Sequence, residues 1–143
     1  MIWSDYVAAI VLAWLIAHAI KYAVAFRTKK QKSFREQVFI SGGMPSSHAA
    51  TTTAVWLVVL VNEGVESAAF GIMTLLTLIV CYDAVKVRRS SGEQGEALRQ
   101  LIKETKKDIK LPVVARGHTV KEVVAGIFLG LSIGGLVVIF STV

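Results

Sequence analysis

Four apolar stretches divide the chain, and each predicts a membrane-spanning helix. The first runs from about Ile2 to Phe26 and is interrupted by His18 and Lys21. The other three are Ala49–Val61, Val65–Tyr82 and Val123–Val143. Because a transmembrane helix needs about 20 mainly apolar residues, the second stretch is too short to cross alone. It becomes long enough if Val38–His48 enters the membrane as an irregular segment that is buried in protein or lines a wet cavity.

A different pattern follows the third stretch, between Glu93 and Leu111. Apolar residues recur there at spacings of three and four, and lysines occupy most of the positions between them: Ala97, Leu98, Leu101, Ile102 and Ile109, with Lys103, Lys106, Lys107 and Lys110. This pattern predicts an amphipathic helix in the membrane interface, attracted to anionic head groups. The alternative is a helix packed over the protein's own loops. Pro112 is expected to end the segment.

Together these patterns predict an all-α integral membrane protein. It would be a compact bundle of about four transmembrane helices, with a re-entrant or broken segment before the second span and one amphipathic interfacial helix. Of the 143 residues, 54% are hydrophobic and 18% are charged, against roughly 25% charged in a typical soluble domain. Four crossings use about 80 residues, so the remainder is too short for a separate soluble domain. We therefore expect a single membrane-embedded domain over residues 1–143.

The basic residues indicate how the chain is oriented. The formal net charge is +6, and all 16 Lys and Arg lie between Lys21 and Lys121. The loops Arg27–Ser47 and Asp83–Thr119 carry five and nine of them, and the N-terminus and the connection Asn62–Glu66 carry none. By the positive-inside rule, both loops are cytoplasmic and both termini lie outside a cell membrane. The position of the charges beside apolar spans also argues against nucleic-acid binding.

Three glycines in the last stretch have the spacing of a close helix contact. Gly126, Gly130 and Gly134 are four residues apart, and small residues at that spacing allow two helix backbones to approach closely. The glycines are consistent with tight packing within one chain and with the face of a homodimer; the sequence does not separate the two, and both can hold together.

Chemistry-bearing residues form three clusters at the basic face. The first comprises Gly42 to His48, where Ser46 or Ser47 is placed to cap the following helix, whose free N–H groups suit an anion. The second begins with Asp83, just past the third span, and continues to Arg88 and Arg89. Arginine is suited to bidentate phosphate binding, and Asp83 is placed to orient one of these arginines.

The third cluster runs from Arg116 through Glu122. If a helix begins near Thr119, the side chains of His118 and Glu122 can meet one turn apart. A carboxylate on one ring nitrogen fixes the histidine tautomer and makes the other nitrogen a better nucleophile or base. Each cluster also has a purely structural interpretation as a helix cap, an anchor of the positive-inside type or an ion pair.

The combination of the clusters favours phosphoryl transfer through a phosphohistidine. One histidine attacks, the other protonates the leaving alcohol, and cations stabilise the phosphoryl oxygens. This chemistry needs no metal and no cofactor. The competing interpretation is a metal site of His18, His48 and His118, but His18 lies in the first span, well before the basic face.

These motifs resemble a known family. Pro45-Ser46-Ser47-His48 is similar to the Pro-Ser-Gly-His motif of the type 2 phosphatidic acid phosphatases, which include the vanadium haloperoxidases, and His118 with Glu122 resembles their nucleophilic His with an acidic partner. The fuller resemblance, over about Lys21 to Gly130, is to the divergent branch of that superfamily. The sequence elements that carry it are Gly42 to His48, Tyr82 to Ala84, Val87 to Arg89, Gly92 with Gln94, Gly117 to Thr119, and Glu122 with Val123.

The resemblance implies roles for individual residues. His118 is the nucleophile, His48 the general acid and Glu122 the orienting carboxylate. The phosphate-binding groups it implies are Ser46, Ser47, Lys21, Arg27, Arg88, Arg89 and Arg116, supported by Gly43, Pro45, Asp83 and Gly117. Pro112 stands where the family has a phosphate-binding Arg, so Arg88, Arg89 or Arg116 is expected to substitute, and Arg88 and Arg89 are favoured.

The function this predicts is dephosphorylation of a membrane lipid phosphate at the cytoplasmic face. Phosphatidylglycerophosphate, phosphatidic acid and a polyprenyl phosphate are the substrates considered. Two alternatives stay open: a non-catalytic membrane protein that binds lipid phosphates, and a small four-span dimeric transporter whose intramembrane groups are His18 and Glu66.

Overall fold

The computed structural model describes residues 4–27, 42–105, 109–111, 114 and 117–141. Over these residues the chain forms helices and no strand, which confirms the all-α prediction. The elements are α1 (Asp5–Arg27), α2 (Ser47–Glu63), α3 (Ala68–Tyr82), a π-helical turn (Asp83–Val87), α4 (Arg88–Glu104) and α5 (Val120–Ser141). The four predicted apolar stretches coincide with α1, α2, α3 and α5.

Three helices in the described part are long and apolar enough to cross a membrane. They are Asp5–Arg27, Val120–Ser141 and the continuous helix Ala68–Glu104, which comprises α3, the π-helical turn and α4. The remaining helix of the bundle, α2, has 17 residues and is therefore about 26 Å long, slightly shorter than the hydrocarbon core of a bilayer. Membrane crossing by α2, and with it the count of four spans, stays a prediction.

Contacts between side chains establish that α1 and α2 are antiparallel. At one end of the bundle, the Tyr6 hydroxyl near the start of α1 donates to Glu63 Oε1 at the end of α2, at 2.7 Å. At the other end, Lys21 Nζ on α1 lies 3.5 Å from Ser47 Oγ at the start of α2. The end of α1 therefore lies beside the beginning of α2.

α3 runs antiparallel to α2, since Trp56 Nε1 in the middle of α2 donates to Thr74 Oγ1 at 2.8 Å. Thr77 Oγ1, later in α3, lies 3.5 Å from the carbonyl of Thr52, which is earlier in α2. α5 runs parallel to α2, because Gly126 lies against Ser46 and Gly134 against Ala54. The starts of α2 and α5 and the ends of α1 and α3 therefore meet at one end of the bundle, where the predicted site residues lie.

The glycine stripe of α5 forms the closest helix contact of the bundle. All three glycines are buried, and a Cβ at any of them would lie less than 3.0 Å from a backbone carbonyl oxygen of α2. The facing carbonyls belong to Ser46, Ala50 and Ala54, respectively. The structure thus supports the intrachain interpretation of the stripe. Formation of a homodimer stays a prediction.

Burial differs sharply between the helices. α2 lies at the centre, between α1, α3 and α5, and contributes seven buried residues. α3 contributes none, and its large apolar side chains such as Ile72, Leu75 and Leu78 are more than half exposed. An exposed apolar surface of this extent is what a bilayer solvates. α3 therefore lies at the edge of the bundle, with most of its surface available to lipid.

The predicted amphipathic helix 93–111 has different limits in the structure. It begins at Arg88, as a direct continuation of α3 through the π-helical turn, and ends at Glu104. Ile109, Lys110 and Leu111 are not helical; Lys106, Lys107 and Pro112 lie outside the described residues. The described helix includes Lys103 but neither Ile109 nor Lys110, and its interfacial location stays a prediction.

The predicted irregular segment before the second span is described only in part. Residues 42–46 are non-helical, with Pro45 and Ser46 buried, and the Met44–Pro45 peptide bond is cis. Residues 38–41 lie outside the described residues, and entry of the segment into the membrane as a re-entrant element stays a prediction.

Candidate active site

His118 is the most buried ionisable side chain at the site end of the bundle among the described residues, with 3% of its surface exposed. Its backbone N–H donates to the Ala84 carbonyl at 3.0 Å. Its ring Nδ1 lies 3.1 Å from Glu122 Oε2, and Nδ1–H is the donor because a carboxylate only accepts. The other ring nitrogen, Nε2, is buried with no hydrogen-bond partner in the described part of the protein. This arrangement leaves the Nε2 lone pair free to react.

Glu122 has a second role at the same position. Its Oε2 also accepts from the Thr119 N–H at 3.0 Å, and its own N–H donates to Thr119 Oγ1 at 3.3 Å. These reciprocal bonds form a capping box, in which a Thr cap and a Glu three residues later satisfy free N–H groups at a helix start. One carboxylate thus fixes the start of α5 and the ring of His118 together.

The π-helical turn supplies the backbone anchor for His118. Within it, the Arg88 N–H donates to the Asp83 carbonyl, five residues earlier, one residue further than in an α-helix. In a regular α-helix the Ala84 carbonyl would accept from Arg88; here it accepts from His118. The loop passes so close to the turn that a Cβ at Gly117 would lie 2.5 Å from the Arg89 nitrogen, and Gly117 has φ +65°. Only glycine fits this approach without strain.

The start of α2 faces the start of α5. Ser46 is the N-cap: its Oγ accepts from the Ala49 N–H at 3.4 Å. The Ser46 N–H donates to the Glu122 carbonyl at 2.9 Å, and the side chain is fully buried. Ser46 therefore joins the two helix starts, a structural role that accounts for both of its polar groups.

The next two residues are better placed for an anion. Ser47 Oγ lies beside Lys21 Nζ, and His48 stands exposed in the first turn of α2. Arg88, Lys21, His118 and His18 all interact electrostatically with His48, so His48 and His118 lie within one cluster that includes two cations. Within the described residues, the N–H groups of Ser47 and His48 have no partner, as expected at a helix start.

The two neighbouring arginines differ in position. Arg88 Nε pairs with Asp83 Oδ2 at 2.5 Å, and its charge acts on both His118 and His48. Arg89 Nε pairs with Glu93 at 3.2 Å along the exposed side of α4. The pairing of Asp83 with an arginine is the arrangement the sequence predicted. Of the two arginines, Arg88 is the one whose charge acts on the histidines.

The remaining predicted residues are placed as follows. Gly43 is exposed with φ +88°. Arg27 ends α1, six residues or about 9 Å beyond Lys21, and no described contact joins it to the histidines. Arg116 lies outside the described residues. Sequence reasoning placed Ala84 and Thr119 within its motifs but gave neither a role in the site; the Thr-x-x-Glu spacing was a visible signal for the cap at Thr119, whereas no pattern marks the Ala84 carbonyl.

Burial and the surrounding charges keep His118 neutral. Desolvation is the main influence, and it lowers the pKa of the imidazole below the usual histidine value, because the charged form loses hydration. The positive charge of Lys21 acts in the same direction, the hydrogen bond and charge of Glu122 oppose it, and Arg88 adds a smaller lowering of the pKa. The ring is therefore unprotonated at neutral pH, as a nucleophile must be.

The groups invoked by the alternative functions make no described hydrogen bond to His48 or His118. His18 Nδ1 lies 2.8 Å from the Trp14 carbonyl of its own helix, and the His18 ring packs against the Trp14 ring. Glu66 lies in the turn between α2 and α3, at the opposite end of the bundle. Among the described residues, no group of three or more His, Cys, Asp or Glu is arranged to hold a metal ion.

Comparison with known proteins places the chain in a family. The sequence profile described as the Divergent PAP2 family matches residues 3–133. This chain belongs to the Divergent PAP2 family. The matched region includes every residue of the site described above, so the Divergent PAP2 resemblance of the motifs is confirmed at the level of the family.

One relative in Bacillus subtilis (strain 168) is described as "uncharacterized membrane protein YuiD". It is 33% identical to this Divergent PAP2 chain over 90 residues, which cover 63% of this chain and 56% of that protein. A membrane protein among the relatives agrees with the membrane-spanning helices found here. No solved structure matches the chain.

Proposed function

We propose that the protein is a lipid-phosphate phosphatase that acts through a phosphohistidine on His118. The observation that carries the proposal is the buried His118 ring, with Nδ1–H held by Glu122 and Nε2 without a partner in the described residues. An unpaired buried nitrogen costs free energy, and such a cost is characteristic of groups kept ready for a ligand or a reaction.

In the first step, His118 Nε2 attacks phosphorus and the bond between phosphorus and the lipid oxygen breaks. The leaving oxygen takes a proton from the His48 imidazolium and departs as the alcohol. The Nδ1–H bond to Glu122 stabilises the positive charge that develops on the His118 ring. The product is a phosphoramidate on Nε2 and a neutral His48.

In the second step, water attacks phosphorus and the phosphorus–nitrogen bond breaks. Neutral His48 takes a proton from the water, which regenerates the imidazolium, and inorganic phosphate leaves. His48 thus acts as acid and then as base, a reversal that microscopic reversibility requires. Its exposed position in the first turn of α2 suits exchange with both the alcohol and water.

Arg88 is the cation that we assign to the phosphoryl oxygens. Asp83 holds its guanidinium, and its charge acts on both histidines. A planar guanidinium binds two phosphate oxygens at once. Lys21, Ser47 and the free N–H groups at the start of α2 complete a site in which positive charge surrounds the transferring group.

Two further features support a lipid substrate on the cytoplasmic side. The site lies at the ends of membrane-length helices, so a lipid head group reaches it without leaving the bilayer. The described Lys and Arg residues all lie from the last third of α1 to the connection after α4, or in the first turn of α5, which under the positive-inside rule makes this end cytoplasmic.

The direct test is phosphate release by the purified protein in lipid nanodiscs. The panel is phosphatidylglycerophosphate, phosphatidic acid and a polyprenyl phosphate, with a chelator in one arm and vanadate in another. We expect release that resists the chelator, is blocked by vanadate and is lost in His118→Gln but kept in the matched control His18→Gln. Absence of release from every lipid over a range of pH would overturn the proposal and favour a binding protein.

The orientation has a separate test. In a protein whose Cys81 is replaced by Ser, single cysteines are placed at Ser33 and at Asn62. An impermeant thiol reagent added to intact cells is expected to label the cysteine at 62 and to miss the one at 33. The opposite result would place the site on the outer face.

A further inference from the structure

An apolar groove lies between α3 and α5, directly beside the site. Its volume is about 580 Å³, within the range of about 300–1,000 Å³ that is usual for ligand pockets. Its lining is apolar except for one residue, and comprises Leu78, Ile79, Cys81, Tyr82, Val85, Val120, Val123 and Val124, with Lys86. Its lining includes Leu78, Ile79 and Tyr82, which belong to the exposed surface of α3.

The groove lies next to the residues that support the proposed nucleophile. Its inner wall includes Val123, which is buried against Ala49 and Ala84. Ala84 is the residue whose carbonyl holds the His118 backbone, and Val120 begins the helix two residues after His118. The same small cluster therefore forms the inner wall of the groove and the support of the nucleophile.

The groove runs from the apolar part of α3 to the basic end of the bundle. Leu78 lies about one turn before the end of α3, and exposed Lys86 lies in the π-helical turn at the basic end. The distance between them along the helix is about 12 Å. An apolar channel with a cation at its end next to the site matches an amphiphile that has a hydrocarbon chain and an anionic head.

We propose that this groove holds a hydrocarbon chain of the phosphorylated lipid and that the substrate enters it sideways from the bilayer. The inference rests on the proposed function, since the site fixes the head group while the groove fixes the chain. Lys86 then lies at the level of the head group, beside the phosphate bound by Arg88. Lateral entry follows because the exposed surface of α3 lines part of the groove and α3 has no buried residue that would have to move.

Blocking the groove tests the proposal through turnover. Val124→Trp fills it from α5 and Leu78→Trp fills it from α3. We expect each to lower kcat/KM for a long-chain phosphatidic acid by at least about tenfold, while release from a short water-soluble phosphate ester changes less than about twofold. Leu136→Trp, an exposed position on α5 away from the groove, is the matched control and is expected to change neither rate. Unchanged long-chain activity in both groove variants would overturn the groove and leave the phosphatase standing.

Photolabelling tests the groove without turnover. A phosphatidic acid with a diazirine in the middle of one chain is photolysed with the wild-type protein in nanodiscs, and the adducts are mapped by mass spectrometry. We expect adducts concentrated on the groove residues, more than with the matching phosphatidylcholine probe, and a loss of them in Val124→Trp. Equal labelling by both probes would mean ordinary boundary lipid and overturn the proposal. Selective labelling without phosphate release would overturn the phosphatase and keep the groove.

Discussion

Both ends of the helix bundle carry ionisable residues, but these residues differ in burial and in hydrogen bonding. At the far end, Tyr6 donates to Glu63 and Asn62 to Asp5, between exposed side chains. At the site end, His118 is almost fully buried and one of its ring nitrogens has no partner in the described residues. Exposed pairs contribute little to stability, whereas burial of an unsatisfied polar group is costly. This difference in burial and hydrogen bonding is the reason why we propose the active site at the end that contains His118.

The largest effect is expected for the two histidines. His118→Gln removes the nucleophile and is expected to lower phosphate release by about 10⁴-fold or more. His48→Gln removes the acid that protonates the leaving group. The loss in the rate of phosphate release should therefore be smaller when the alcohol is a good leaving group such as p-nitrophenol. Release and phosphoenzyme trapping are measured with lipid and aryl phosphates. A His48→Gln defect of the same size for both leaving groups would contradict the general-acid role.

The next largest loss of activity is expected at Arg88, and its neighbour Arg89 serves as the control. Arg88→Ala is expected to lower kcat/KM by about 10²-fold, the usual cost of removing one group that stabilises transition-state charge. Arg89→Ala is expected to change it less than about threefold, because Arg89 pairs with Glu93 on the exposed side of α4. Steady-state kinetics on phosphatidic acid measure both. Equal losses would contradict the assignment of the phosphate to Arg88.

Variants of Glu122 test whether its role in the capping box can be separated from its contact with His118. Glu122→Gln keeps a residue able to form a capping box and removes the charge beside the ring. We expect a loss of about 10-fold to 100-fold in kcat, typical of a partner that orients a reacting group, with little change in thermal stability. Glu122→Ala should lose both activity and stability. If Glu122→Gln lost stability but not activity, the residue would be a cap only.

The pKa of His118 can be measured directly, because the protein has only three histidines. Histidine NMR of the labelled protein in nanodiscs, assigned with His18→Gln and His48→Gln, is expected to give a His118 pKa below the usual value of about 6.5. Lys21→Gln should raise this pKa by removing a positive charge, and Glu122→Gln should lower it. A His118 pKa above 6.5 in the wild-type protein would contradict the role of burial.

The same shift predicts a pH dependence of stability. Because the folded-state pKa of His118 lies below its unfolded-state value, the unfolded chain binds the proton more readily. The contribution of the neutral ring to stability is therefore complete above about pH 6.5 and is lost as the pH falls through the folded-state value. Thermal unfolding of wild-type and His118→Gln proteins across this range measures the difference.

The smallest effects are expected at the far end. Tyr6→Phe removes the hydroxyl that donates to Glu63, and Asn62→Ala removes the donor to Asp5. Since these pairs are exposed, each variant should keep phosphate release within about twofold of the wild-type rate. A large loss of release in either variant would remove the distinction between the ends, because the far end would then also control the site.

Much of the fold could be read from the sequence, because apolar length and helix caps are local properties. The four apolar stretches coincide with helices, Ser46 caps α2, and α5 begins next to Thr119 as the motif spacing predicted. The limits of the amphipathic helix were less predictable. Its periodicity extended past Glu104, and periodicity alone does not say where packing against the rest of the chain stops.

Some contacts of the candidate site could likewise be predicted from the sequence, and others could not. The spacing of His118 and Glu122 is a property of one helix turn, so their contact was predictable. The π-helical turn, the bond from His118 to the Ala84 carbonyl and the choice of Arg88 over Arg89 were not. Each depends on which residues of distant segments meet, and no local pattern contains that information.

The sequence by itself determined the all-α class, the membrane-length helices, the clustering of basic residues and the two histidine motifs. Their causes are apolar length, helix period and short-range spacing, which act within one segment. Only the tertiary structure decided that the glycines of α5 pack on α2, that Arg88 rather than Arg89 pairs with Asp83, and that one nitrogen of His118 is buried without a partner in the described residues. These results depend on close packing between helices, which fixes contacts across the bundle that local preference leaves open.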